Sequence, residues 1–262
     1  MSQALAEILD DWEDFTENIV TEDDEPVDNL FSEKQQRLLA RSLYSSWNPP
    51  NPEKSKKPRK FLAAANVGVF FSRHEQPLVP DFFLSLDVEP HADWYTKEHR
   101  SYFVWEFGKV PELALEIVSN RKGGEINGKI KNYARMGVMY YVVFDPQHHL
   151  SENVLTVYEL GFGKRLRPRE DSQLPELELS LQLWNGVFEG KEGTWLRWYD
   201  AKGNLIQTGE ERANQAEKIV SKAKERATMA EKRAAQAEAE LKRLQDEMAT
   251  LKAKPTRKRP NA

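Results

Sequence analysis

The sequence contains no cysteine. Disulfides, thiolate zinc sites and cysteine nucleophiles are therefore excluded, and a reducing cytoplasm is the fitting compartment. No stretch stays apolar for the roughly 20 residues that a bilayer span requires. The N-terminus has no basic region followed by an apolar run, so it does not read as a signal peptide. A Gly-x-Ser-x-Gly nucleophile elbow is missing. The five histidines (His74, His91, His99, His148 and His149) show no paired metal spacing on one predicted helix, and His148-His149 follows a strand, where a turn is expected. Basic residues are also missing from positions 1–30, which hold eleven acids: Glu7, Asp10, Asp11, Glu13, Asp14, Glu17, Glu22, Asp23, Asp24, Glu25 and Asp28.

That absence changes the reading of the net charge. The chain has 262 residues and a formal charge of −4, and removing the −11 of the first 30 residues leaves +7 for residues 31–262. The remainder is compatible with a polyanionic partner. Basic clusters lie at residues 54–60 and from Lys252 to Arg259. They serve either as solvated linkers or as contacts to nucleic acid. The length suits one sizeable domain with appendages. The predicted organisation is an acidic, disordered arm over 1–30, a folded domain over 31–208, a coiled-coil helix over 209–254 and a basic tail over 255–262. In the arm, Leu5, Ile8, Trp12 and Phe15 have the spacing of a short amphipathic helix.

Within the folded domain, Phe31 to Trp47 has helical periodicity, with Leu39, Leu43 and Trp47 in steps of four, and Ser32 is the predicted N-cap. The pattern then turns to strands at Phe61–Phe71, Val79–Val88, Leu113–Ser119, Met139–Phe144 and Val154–Leu160. A helix over Glu125–Met136, stopped by Gly137, separates two of them. Strand–helix–strand order requires a crossover and a parallel pair. Pro90 to Pro111 is an aromatic-rich insertion with a strand predicted at Tyr102–Phe107. Its aromatics, Trp94, Tyr95, Tyr102, Phe103, Trp105 and Phe107, either stack on unpaired bases or pack the loop onto the sheet. Trp184–Asp200 and Asn204–Thr208 have the look of short hairpin pieces. The expected class is α/β with a mixed sheet.

Beyond Gly209 the composition shifts. Ala213, Ala216, Val220, Ala223, Ala227, Ala230, Ala234, Ala237, Leu241, Leu244, Met248 and Leu251 alternate in steps of three and four. This heptad seam predicts a supercoiled helix and self-association through residues 213–251. Alanine buries little area per position, so the larger Leu/Met end is expected to carry the contact. Pro255 ends the helix.

Two acids stand out chemically. Glu116 lies in the middle of the apolar run Leu113-Ala114-Leu115-Glu116-Ile117-Val118-Ser119, where a carboxylate is costly unless paired or metal-bound. Asp81 follows Pro80 at the start of a pleated run. Two carboxylates on neighbouring strands would form a hard oxygen site suited to Mg²⁺ or Mn²⁺. Lys129 lies on the next helix, one turn before Tyr133 on the same face, while Lys131 points elsewhere.

Pro80-Asp81, then Glu116-Ile117-Val118-Ser119, then Glu125-x₃-Lys129-x₃-Tyr133-x₃-Gly137-Val138-x₂-Tyr141, then Phe144-Asp145-Pro146 together resemble the Uma-type family of restriction-endonuclease-like proteins, within the PD-(D/E)xK nuclease superfamily. The likeness covers roughly residues 31–208. It implies a restriction-endonuclease-like core and a Mg²⁺-dependent phosphodiesterase acting on DNA, with Asp81 and Glu116 as metal ligands. The superfamily's lysine usually stands two residues after the Glu. Val118 is there instead, and the resemblance implies that Lys129 replaces it, with Tyr133 and Glu33 as further candidates. A nuclease-derived binding or scaffolding protein is the rival reading. Gly123-x₄-Gly128-Lys129 also imitates a phosphate-binding loop, with Asp145 at the end of an apolar strand as its metal acid. However, Ile130 takes the place that needs a Ser/Thr hydroxyl.

Overall fold

A computed structural model describes residues 29–51, 58–93, 95–119 and 126–253. The predicted arm helix, most of the first basic cluster, Trp94, Gly123–Glu125 and the basic tail fall outside those residues. The chain divides into two units, Met1–Gly209 and Glu210–Ala262.

Helix α1 spans Leu30–Ser46. Its cap is Asn29, not Ser32. The Asn29 side-chain oxygen accepts the N–H groups of Phe31 and Ser32, each at 3.0 Å. Entry one turn earlier places Ser32 inside the first turn, where it is fully buried. The predicted strand over Phe61–Phe71 is broken in two, β1 (Phe61–Ala64) and β2 (Val69–Phe70). Between them Asn66 adopts a left-handed conformation with φ 52°, which no continuous strand allows.

Then follow β3 (Phe82–Leu86), β4 (Tyr102–Phe103), the single-turn α2 (Val104–Phe107) and β5 (Leu113–Ile117). The strand predicted over Tyr102–Phe107 is therefore only its first two residues. Helix α3 (Ile126–Met136) leads to β6 (Tyr140–Phe144), β7 (Leu155–Gly161), β8 (Arg165–Pro168) and β9 (Gln173–Leu174). Gly137, at φ +94°, ends α3 as its position predicts. The domain closes with β10 (Leu179–Phe188) and β11 (Lys191–Asp200).

The main sheet has the order β1-β3-β5-β6-β7-β8. Only β5 and β6 are parallel, joined by the α3 crossover; every other pairing in it is antiparallel. Period-two alternation separates its faces. Phe82, Leu84, Leu113, Leu115, Val142 and Phe144 pack toward α1 and a second sheet of order β11-β10-β9. Phe83, Ala114, Tyr141 and Val143 pack with Tyr133, Ala134 and Met136 of α3 and with Tyr102 of the insertion. The fold class is thus the expected mixed α/β one.

The hairpin of β10 and β11 is far longer than the short pieces predicted, being paired from Leu179↔Asp200 to Phe188↔Lys191. Its two-residue loop, Glu189-Gly190, has both φ values positive, the geometry that matches strand twist. A Cβ at Gly186 would run into the Trp184 indole. This hairpin grips α1. The Gln35 amide donates to Leu196 O and accepts from Leu196 N, both at 2.9 Å. Glu189 receives Lys34 at 2.8 Å, Arg37 at 2.6 Å and Arg41 at 3.2 Å.

In the second unit, helix α4 runs over Gly209–Ala253, as the periodicity predicts. Every residue from Arg212 to Ala249 is exposed. Among the described residues no helix is long and apolar enough to cross a membrane.

Candidate active site

Strand register brings the two singled-out acids together. Phe82 pairs with Leu115 across β3 and β5, so Asp81, just ahead of β3, is level with Glu116. Alternation puts Glu116 on the same face as Ala114, the face covered by α3. Both acids are largely buried, Asp81 at 9% and Glu116 at 7% exposure. Buried carboxylates need partners, and these have several. The Asp81 Oδ2 accepts the backbone N–H of Ile117 at 2.5 Å. The Glu116 Oε1 accepts the Tyr133 hydroxyl at 2.7 Å, and its Oε2 accepts Lys129 Nζ at 2.7 Å.

Lys129 and Tyr133 are four residues apart on α3, so both descend from one helical face onto one carboxylate. Lys131 is exposed. Lys129 stays half exposed, with 49% of its side chain accessible against 10% for Glu116. Tyr133 is buried and stacks on Tyr141 with centroids 4.5 Å apart. Burial first, then the Glu116 charge and the hydrogen bond to it, push the Tyr133 hydroxyl well above its ordinary range. Its hydroxyl serves as a donor to Glu116. Val118 packs against the apolar cluster on the α3 face, so the cation beside Glu116 arrives from the helix.

Glu33 is placed elsewhere, in an ion pair with Arg37 at 3.1 Å. The residue of α1 that reaches the site is Gln36. Its amide donates to Asp81 Oδ1 at 3.2 Å and to Asn66 Oδ1 at 3.3 Å, and it accepts from Asn66 Nδ2 at 3.1 Å. Gln36 passed unnoticed in the sequence, although a signal existed. Ser32, Gln36, Leu39 and Leu43 share one stripe at helical spacing, so a buried amide was to be expected at position 36.

Among the described residues no three His, Asp, Glu or Cys side chains converge closely enough to form a metal cage. Two hard carboxylates level on adjacent strands, beneath a half-exposed lysine, fit a different kind of ion. Mg²⁺ keeps several waters and needs only one or two protein carboxylates.

The decoys resolve differently. Asp145 is fully buried, but its carboxylate accepts the N–H groups of His149 at 2.8 Å, Leu150 at 2.7 Å and Ser151 at 3.0 Å. It organises the turn after β6, the turn expected at His148-His149, and is not poised as a nucleotide-site metal acid. In the insertion Tyr102 and Phe103 are buried, stacking on Phe107 and Phe70 respectively. Those rings pack the loop.

A model of the Uma2 protein family, described as "Putative restriction endonuclease", matches residues 17–187. That span is more than half of the chain. The chain belongs to the Uma2 family. No curated protein matches it. The Uma2 match contains Asp81, Glu116, Lys129, Tyr133 and Gln36, and it assigns the domain to a restriction-endonuclease-like, nuclease-type hydrolase. It stops inside β10, so β11 and α4 lie beyond the matched Uma2 residues.

Proposed function

We propose that this chain hydrolyses phosphodiester bonds in DNA with the help of a divalent cation, Mg²⁺ or Mn²⁺, held by Asp81 and Glu116. The observation that carries the reading is the convergence on Glu116, a buried acid on a central strand, of an ammonium and a phenol from the crossover helix. A purely structural acid does not require a half-exposed lysine at its open side.

Bound between the two carboxylates, such an ion would supply positive charge against a phosphate and make a nearby water more acidic. The chain's own residues do the rest. Gln36 and the Ile117 N–H orient Asp81 from two directions. Tyr133 holds Glu116 in one rotamer. Lys129, bonded to Glu116 through a half-exposed side chain, can meet a phosphate oxygen and stabilise charge that builds up during attack. The net charge of +7 outside the acidic arm suits DNA as the substrate.

The test is cleavage of supercoiled and linear DNA with Mg²⁺ or Mn²⁺, comparing the protein with Glu116→Ala and Lys129→Ala. Metal-dependent cutting that is lost in both variants supports the site. Loss in Glu116→Ala alone keeps the nuclease and removes Lys129 from its machinery. A folded protein that cuts nothing under any of these conditions turns the reading to a nuclease-derived scaffold.

A further inference from the structure

Helix α4 is 45 residues long, and its apolar side has no cover. Val220, Leu241, Leu244 and Met248 are 52–59% exposed. Scattered apolar residues need no explanation, but these four fall on one seam. The heptad places Ala213, Val220, Ala227, Ala234, Leu241 and Met248 at a, and Ala216, Ala223, Ala230, Ala237 and Leu244 at d. The step never slips. A strict seven-residue repeat drifts on a lone straight helix and stays aligned only when two helices wind around each other.

We infer that α4 pairs with α4 of a second copy of this chain as a parallel, in-register, two-stranded coiled coil. The flanking charges choose the orientation. In a parallel pair each g residue meets the e residue five positions on in the partner helix. Arg226 then meets Glu231 and Arg233 meets Glu238, while Ile219 with Lys224 and Glu240 with Gln245 carry no like-charge conflict. In an antiparallel pair e faces e. The row Glu217, Lys224, Glu231, Glu238 then sets two glutamates against each other in every register that keeps most of the seam paired.

The consequence deepens the nuclease reading, on which this part rests. In a parallel pair both chains enter the coil at Gly209, so two nuclease domains are tethered at the same end. Two sites so tethered act on one duplex at high effective concentration.

The absence of native cysteine makes the test direct. Single cysteines are placed in the full-length protein at two d positions, Ala223→Cys and Leu244→Cys, and at the outward f position as Lys232→Cys. Under mild oxidation both d variants are expected to form covalent dimers and Lys232→Cys to form far fewer. Sedimentation equilibrium of the unmodified protein is expected to give twice the 30.3 kDa chain mass. A monomer, a trimer or tetramer, or failure of both d variants to cross-link would overturn the proposal. So would Leu244→Cys cross-linking only when mixed with Val220→Cys, its a-position partner in an antiparallel pair over the whole seam. These readouts do not depend on cleavage, so the pairing and the nuclease reading fail separately.

Discussion

The ends of β5 and β6 lie side by side, and each carries a buried acid of opposite character. Asp145, just past β6, is met by three backbone N–H groups of its own following turn. Glu116, on β5, is met by two side chains that arrive from α3. The backbone-held acid is spent on local structure. The side-chain-held acid sits level with a second acid, under a half-exposed lysine. Burial alone does not separate a structural carboxylate from one able to work, whereas the identity of its donors does.

The comparison can be broken most sharply by exchanging charge for neutrality at both places. Glu116→Gln or Asp81→Asn is expected to cut DNA about 10³-fold more slowly, the loss of several kcal/mol of transition-state stabilisation, while chemical denaturation shows stability within about 1 kcal/mol of the parent. A parent-like cleavage rate in either variant would remove that acid from the site. Asp145→Ala is expected to behave the opposite way. It leaves three donors without their acceptor and is expected to lower unfolding free energy by about 3 kcal/mol, with the cleavage rate per folded molecule unchanged. Burial raises the Asp145 carboxyl, but its backbone hydrogen bonds outweigh that and hold it below 3.8. This stabilisation is therefore complete above that pH and is lost on further acidification.

Lys129→Ala sharpens the contrast within the site. A loss of about 10²-fold in cleavage is expected, with a stability change below about 1 kcal/mol because the ammonium is half exposed. A large drop in stability with intact cleavage would make Lys129 a structural partner. Tyr133→Phe is expected to cost about 1 kcal/mol of stability and roughly tenfold in rate, about 1.4 kcal/mol of barrier, through a looser Glu116. Alkaline titration tests the burial of the rings and not the chemistry. Burial raises the phenols of Tyr102, to about 12, and of Tyr133 and Tyr141 above the ordinary 10. The unfolded chain then loses these protons first, so stability should hold to pH 10 and decline from there through 12. Flat stability to pH 12 would contradict the burial of these rings.

Much of this contrast could be read from the sequence, though unevenly. Glu116, Lys129 and Tyr133 were visible because an acid interrupts an apolar strand and two polar residues repeat at helical spacing on the next element. The crossover, the Gly137 stop and α4 were visible for the same local reason. What escaped depends on tertiary contacts. Glu33 is conspicuous in a sequence because it is charged, while Gln36, a buried amide, is not. Asn29 displaced Ser32 as the cap because both residue types suit the position and only the path of the chain decides. The length of the β10–β11 hairpin was hidden by Trp184, Gly186 and Gly193, whose pairing matters more than their individual strand preference.

That hairpin has a consequence for the order of events during synthesis. Gln35 is bonded to Leu196 across 161 residues of sequence, and Lys34 to Glu189 across 155. Contacts so remote form only after the intervening chain exists. The grip of the hairpin on α1, next to Gln36, is therefore added only once nearly the whole domain has emerged from the ribosome. A nascent or truncated chain can thus contain Asp81, Glu116 and Lys129 and still lack the clamp on the helix that carries Gln36 to Asp81.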